Sequence, residues 1–199
     1  DALAQMIRND GCQMRTGFVG TPYILHVLSN YGYTDLAYTL LCRKEYPSWL
    51  YAVGKGATTI WEHWDGIMEN GDFWSPDMNS FNHYAYGAIG EWMYRAMAGI
   101  EADPEQPGFK HAVLYPRIGG NLKYTEGNYH SIYGNVGVKW EVQGTQILLT
   151  VQIPVNTTAQ IRLDQAKAVV KSDGLTFTKA ADYMSAEAGS GTYHIVFEQ

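Results

Sequence analysis

The feature that most constrains this chain is a change of hydrophobic period near its middle. Before residue 101, Phe81, Tyr84, Ala85, Ala88, Ile89, Trp92, Met93, Ala96 and Met97 recur at helical spacing. His83, Gly87, Gly90 and Tyr94 mark the other side of the same helix, which Asn79 or Ser80 would cap. Glu101–Gly108 then brings two prolines and three acids within eight residues. Beyond it the period is two, in Val113–Tyr115, Gly137–Val142, Ile147–Ile153, Ala159–Leu163 and Tyr193–Phe197, separated by Gly, Asn, Asp and Ser. A 3.6-residue stripe and a two-residue alternation cannot share one element, so the chain reads as two domains. Residues 1–102 are helical, and residues 109–199 form an antiparallel β-sandwich.

The helical part breaks into short pieces. Leu3, Met6 and Ile7 give a first helix over Ala2–Asp10, with Gly11 as its stop. That helix has no start signal before it, which points to a missing N-terminal portion. Thr21-Pro22 places an N-cap and a proline at the first helical position. Thr34 opens another helix, stopped at Pro47, and Trp49–Val53 is short and apolar.

Between them and the long helix lies Gly56-Ala57-Thr58-Thr59-Ile60-Trp61-Glu62-His63-Trp64-Asp65-Gly66. Two tryptophans bracket a glutamate. Indole rings suit the mixed apolar and hydroxylated faces of a sugar, and a carboxylate between them is partly desolvated and tunable for acid–base work. Thr59-Ile60-Trp61-Glu62 also fits the S/T-x-x-E capping box, in which the glutamate bonds back to a helix start. From spacing alone both readings stand. The loop from Gly66 to Asn79, with Trp74 on it, is long and rich in polar and aromatic residues, as functional loops are.

Composition narrows the partners. Fifteen Tyr, six Trp and six Phe fit saccharide binding or an aromatic core. A net charge of −6 leaves no basic stripe for nucleic-acid phosphates. No apolar run approaches the ~18 residues of a membrane span. Cys12 and Cys42 make neither a metal pattern nor a disulfide framework and read as buried thiols, and no histidine pair has the spacing of a metal site. No cofactor is implied.

Taken in order, Gly17-Phe18-Val19-Gly20-Thr21-Pro22-Tyr23, Tyr46-Pro47-Ser48-Trp49, the Gly56–Asp65 stretch and Ser80-Phe81-Asn82-His83-Tyr84-Ala85-Tyr86-Gly87 resemble bacterial α-L-rhamnosidases (glycoside hydrolase family 78). Ile153–Ala159 and Gly189–Tyr193 resemble the same family's C-terminal sandwich. The resemblance implies the last helices of an (α/α)6 barrel followed by the β-domain. It also implies release of terminal α-L-rhamnose from glycosides or polysaccharides with inversion, Glu62 as general base and His83 as a sugar contact. The general acid would lie in an Asp-rich motif before residue 1, so residues 1–199 alone would be inactive. Trp61, Trp64 and Trp74 are further candidates for the sugar pocket. Two readings of another kind remain: a structural or carbohydrate-binding module without catalysis, and an (α/α)6 glycosidase of different sugar preference. Helices lacking their barrel neighbours would expose apolar faces open to self-association.

Overall fold

A computed structural model describes residues 1–199. They form two compact units, Asp1–Trp92 and Met93–Gln199. The division falls ahead of the acidic, proline-bearing stretch.

The first unit starts with α1 (Ala2–Asn9), which buries Ala4 and Ile7. Helix α2 (Thr21–Asn30) carries proline in its first turn and buries Ile24, Leu25 and Leu28. It packs on α3 (Thr34–Cys42), where Leu36, Ala37, Tyr38 and Leu40 face inward. In α4 (Trp49–Gly54) the buried Ser48 hydroxyl accepts from the Tyr51 amide at 3.0 Å, so a side chain satisfies one of the orphan donors at the helix start. Trp92, 1% exposed, closes the unit in α5 (Ile89–Trp92). Its indole N–H donates to Ser29 Oγ at 3.0 Å, and its ring meets Tyr38 edge-on at 5.1 Å. Val19, Tyr23, Val27 and Tyr31, spaced by four along α2 and its approach, stay exposed.

The long helix expected from Asn79 or Ser80 does not form. Residues 55–84 are irregular, and the helical run begins only at Ala85, as a 3-10 turn (Ala85–Ala88), α5, and a π-helical turn (Met93–Ala98). The reason lies in competing bonds. The Asn79 side chain donates to Gly66 O at 2.8 Å rather than capping, and Ser80 O, Phe81 O and the His83 amide are taken by residues 59–62. Backbone groups already paired elsewhere cannot join an i→i−4 ladder.

The second unit holds ten strands: β1 (Ile100–Ala102), β2 (His111–Leu114), β3 (Tyr124–Ser131), β4 (Gly134–Gln143), β5 (Gln146–Ile153), β6 (Thr158–Asp164), β7 (Ala168–Lys171), β8 (Thr178–Lys179), β9 (Tyr183–Ala188) and β10 (Gly191–Glu198). They make two five-stranded sheets, ordered β1-β2-β6-β9-β8 and β3-β4-β5-β10-β7. Inward residues of both, among them Leu114, Val138, Leu149, Ile161 and Phe197, share one core. The pairing is antiparallel except between β2 and β6, which run parallel, a departure from the all-antiparallel expectation. Trp140 is fully buried and donates its indole N–H to Met97 O at 2.8 Å. Gly99 sits at φ +75°, and a Cβ there would lie 2.0 Å from Pro116 N, so only glycine fits this approach.

Candidate active site

The site candidates lie in the irregular segment of the first unit, where two stretches of chain run side by side. The Glu62 amide donates to Ser80 O at 2.9 Å, and the His83 amide donates to Ile60 O at 2.8 Å. The Thr59 hydroxyl donates to Phe81 O. These bonds place Glu62 and His83 on adjacent strands of loop. They also correct the capping-box reading: no helix starts at Thr59, whose hydroxyl is spent on the neighbouring stretch.

Glu62 is half-buried, and its carboxylate has no hydrogen-bond or ion-pair partner within the chain. Gly66 is the knot of the loop, its carbonyl accepting from the Asn79 side chain at 2.8 Å and from the Trp74 amide at 3.2 Å. A Cβ on Gly66 would stand 3.1 Å from the Phe81 ring and 3.2 Å from the Trp61 ring. The loop is also anchored to α4: the Tyr51 hydroxyl donates to Ile67 O at 2.9 Å, and Lys55 Nζ to Met68 O at 3.1 Å. Burial, with Glu69 and Asp65 reinforcing it, pushes the Tyr51 phenol above its ordinary value and keeps it a donor.

Aromatic rings surround this frame. Trp61 is buried and edge-on to Phe81 at 5.1 Å. Trp64 stacks on Tyr86 at 3.8 Å with an 18° angle and meets Trp49 edge-on at 5.1 Å. Trp49 in turn donates its indole N–H to Tyr86 O at 2.9 Å. Burial raises the Tyr86 phenol above its usual range. Trp61 and Trp64, with Trp49, Tyr86 and His63, line a mostly apolar cavity of about 60 Å³. Trp74 is not among its lining residues; it lies 42% exposed, stacked on His63 at 3.7 Å. His83 stacks on Phe18 (4.9 Å, 18°) and runs parallel to Tyr84 (5.6 Å, 3°), and its Nδ1 accepts from the Ala85 amide at 3.3 Å.

The stretches that carry Glu62 and His83 are thus joined by backbone pairing, Trp61 and Trp64 share a cavity, and Trp74 stacks on His63, which lines that cavity. Phe18, Trp49, His63 and Tyr86 belong to the same cluster and were not singled out from sequence. Their signal was a phenylalanine between glycines in Gly17–Gly20 and the general density of rings. No group of three or more His, Cys, Asp or Glu gathers to hold a metal ion. Cys12 is half-buried and Cys42 exposed, which corrects their reading as buried thiols.

Residues 1–97 match the bacterial α-L-rhamnosidase six-hairpin glycosidase domain, and residues 99–177 match the bacterial α-L-rhamnosidase C-terminal domain. The chain belongs to the bacterial α-L-rhamnosidase family. An α-L-rhamnosidase of Streptomyces avermitilis is 42% identical over 196 residues, 97% of this chain and 19% of that protein. One from Formosa agariphila is 41% identical over 178 residues, 88% of this chain and again 19% of the relative. The chain therefore spans about a fifth of the length of these curated rhamnosidases. The crystal structure of the Streptomyces avermitilis α-L-rhamnosidase complexed with L-rhamnose superposes with a TM-score of 0.89 at 40% identity, covering 96% of this chain and 19% of that one. The structure of an α-L-rhamnosidase from Dictyoglumus thermophilum gives 0.84 at 29% identity, covering 99% and 22%.

Proposed function

We propose that these residues serve an inverting glycoside hydrolase that releases terminal α-L-rhamnose from glycosides or polysaccharides, with Glu62 as its general base. The observation that carries the reading is the Glu62 carboxylate: half-buried, without a partner, and tied through Ser80 to the stretch that carries His83. A base needs an oxygen free to bind water and enough proton affinity to take its proton, and an ion pair with a cation would lower that affinity. In an inverting reaction Glu62 takes a proton from water as that water attacks the anomeric carbon. A carboxylic acid on the other face, about 6.5–9.5 Å away, protonates the departing glycosidic oxygen.

That acid comes from outside residues 1–199, in keeping with relatives of which the chain spans 19%. The helical unit is then the last part of an (α/α)6 barrel whose other helices complete the pocket. His83 donates to a sugar hydroxyl, Trp61 and Trp64 wall the sugar, and Trp74 offers a platform beside it. The rhamnose complex of the Streptomyces avermitilis relative supports rhamnose as the sugar.

The test is hydrolysis of p-nitrophenyl α-L-rhamnopyranoside by residues 1–199 and by a chain extended N-terminally to the length of the relatives, with the first-formed anomer read by proton NMR. The expected result is activity in the extended chain only, with β-L-rhamnose as first product. Activity in residues 1–199 alone, or α-L-rhamnose as first product, would contradict the division of acid and base.

A further inference from the structure

We propose that Phe18 is a positioning residue that fixes the ring plane of His83, a role that rests on the reading of His83 as a sugar contact. The Ala85 amide donates to His83 Nδ1 at 3.3 Å, so in the neutral ring Nδ1 is the acceptor and Nε2 carries the hydrogen. His83 therefore offers a donor at Nε2, and its usefulness depends on where the ring plane aims that N–H. Two rings set the plane, Phe18 at 4.9 Å and Tyr84 at 5.6 Å. Tyr84 is 88% exposed, which leaves Phe18, the nearer ring, as the one that holds the plane.

Phe18 is itself held. The turn that carries it is closed by the Thr21 amide and hydroxyl, which donate to Gly17 O at 3.0 and 2.9 Å, and by the Gly20 amide, which donates to the same oxygen at 3.2 Å. A Cβ on Gly20 would come within 3.0 Å of the Thr16 side chain, so glycine there keeps the turn tight. The Phe18 ring is also edge-on to Tyr86 at 5.0 Å, and Tyr86 stacks on Trp64. One phenyl ring thus registers the sugar-donor candidate against the aromatic wall of the cavity. A phenylalanine kept 42% exposed at the tip of a turn makes little contribution to a core, and its contacts are with site candidates.

The experiment is a double-mutant cycle in the extended, active chain, reading kcat and KM on p-nitrophenyl α-L-rhamnopyranoside for Phe18→Leu, Phe18→Tyr, His83→Ala and Phe18→Leu with His83→Ala. Phe18→Leu is expected to lower kcat/KM about tenfold, as a misaimed group does, while Phe18→Tyr stays within about twofold because the ring is retained. On the His83→Ala background the Phe18→Leu loss should shrink to less than about twofold, since residues acting as one unit are not additive. A tenfold loss that persists without His83, or no loss at all, overturns the positioning role alone. If His83→Ala itself costs nothing, the sugar-contact reading fails and the role of Phe18 falls with it. Should Phe18→Leu not fold, the histidine 15N resonances of Phe18→Tyr and Phe18→Met decide. Separate protonated-Nε2 and bare-Nδ1 signals for His83 in Phe18→Tyr, averaged in Phe18→Met, support the proposal; the same spectrum in both contradicts it.

Discussion

Asp164, at the end of β6, gives the most quantitative prediction. It is 4% exposed, and its Oδ1 accepts from the Tyr115 hydroxyl at 3.0 Å and from Arg117 at 3.2 Å, while its Oδ2 is buried with no partner. Burial pushes this carboxyl above its ordinary value of 3.8; Arg117 and Tyr115 pull it back, and Asp182 adds a push upward. The folded chain thus holds this proton more tightly than the unfolded one. The stability so gained is full below pH 3.8 and is lost as pH rises through the folded value. Arg117 also lies 3.7 Å over the Tyr115 ring. Replacing Arg117 by Met strands a buried carboxylate, which costs about 3–5 kcal/mol at pH 7.5. As pH falls, growing protonation of Asp164 relieves the stranded charge, and the cost shrinks toward the loss of the cation–ring contact and a hydrogen bond, about 1–2 kcal/mol. Asp164→Asn keeps acceptors for Tyr115 and Arg117 without a charge, so it should cost about 1 kcal/mol and remove this pH dependence. Urea unfolding followed by the fluorescence of Trp140, in the same unit, reads both variants against the parent at pH 7.5 and at pH 4.5. If Arg117→Met costs the same at pH 4.5 as at pH 7.5, Asp164 is not a buried charge held by Arg117, and the reasoning fails.

Two further predictions concern the frame of each unit. Gly99→Ala should cost more than about 4 kcal/mol, because a Cβ would strike the backbone at Pro116 and the residue is held at φ +75°; a midpoint within a few degrees of the parent's in thermal unfolding would refute this. Trp49→Phe removes the donor to Tyr86 O and should cost about 2 kcal/mol in urea unfolding, with a several-fold rise in KM as Tyr86 and its stacked partner Trp64 loosen. An unchanged KM would mean that Trp64 does not depend on this brace.

The legible parts of the fold were those written locally. Gly11 and Thr21-Pro22 are punctuation in the sequence itself, and the helices they bound are present; α3 forms too, but it ends at Cys42, ahead of the Pro47 expected to stop it. The alternating apolar residues of β4, β5, β6 and β10 likewise announce a buried face. Strand β3 was missed because Tyr124–Ser131 is mostly exposed and polar, and takes its structure from pairing along β4. Strand β9 was missed because its inward residues include the small Ala186 and Ala188. The long helix failed for a non-local reason: Asn79, Ser80, Phe81 and His83 have good helical spacing, but residues 59–66 claim their hydrogen bonds. Glu62, His83 and the tryptophans were legible because indoles beside a carboxylate are an unusual local pattern. Phe18, 65 positions from His83, joins the cluster through tertiary contact alone, and no spacing rule reaches that far.

The measurement that bears most directly on the central claim is the rate of Glu62→Gln in the extended chain on p-nitrophenyl α-L-rhamnopyranoside. Glutamine keeps the shape and the backbone bond to Ser80 but cannot take a proton from water. The account predicts a fall in kcat of about 10³-fold, a KM within a few-fold of the parent and an unchanged melting temperature. A variant that keeps more than a tenth of the parent's kcat would show that Glu62 is not the base.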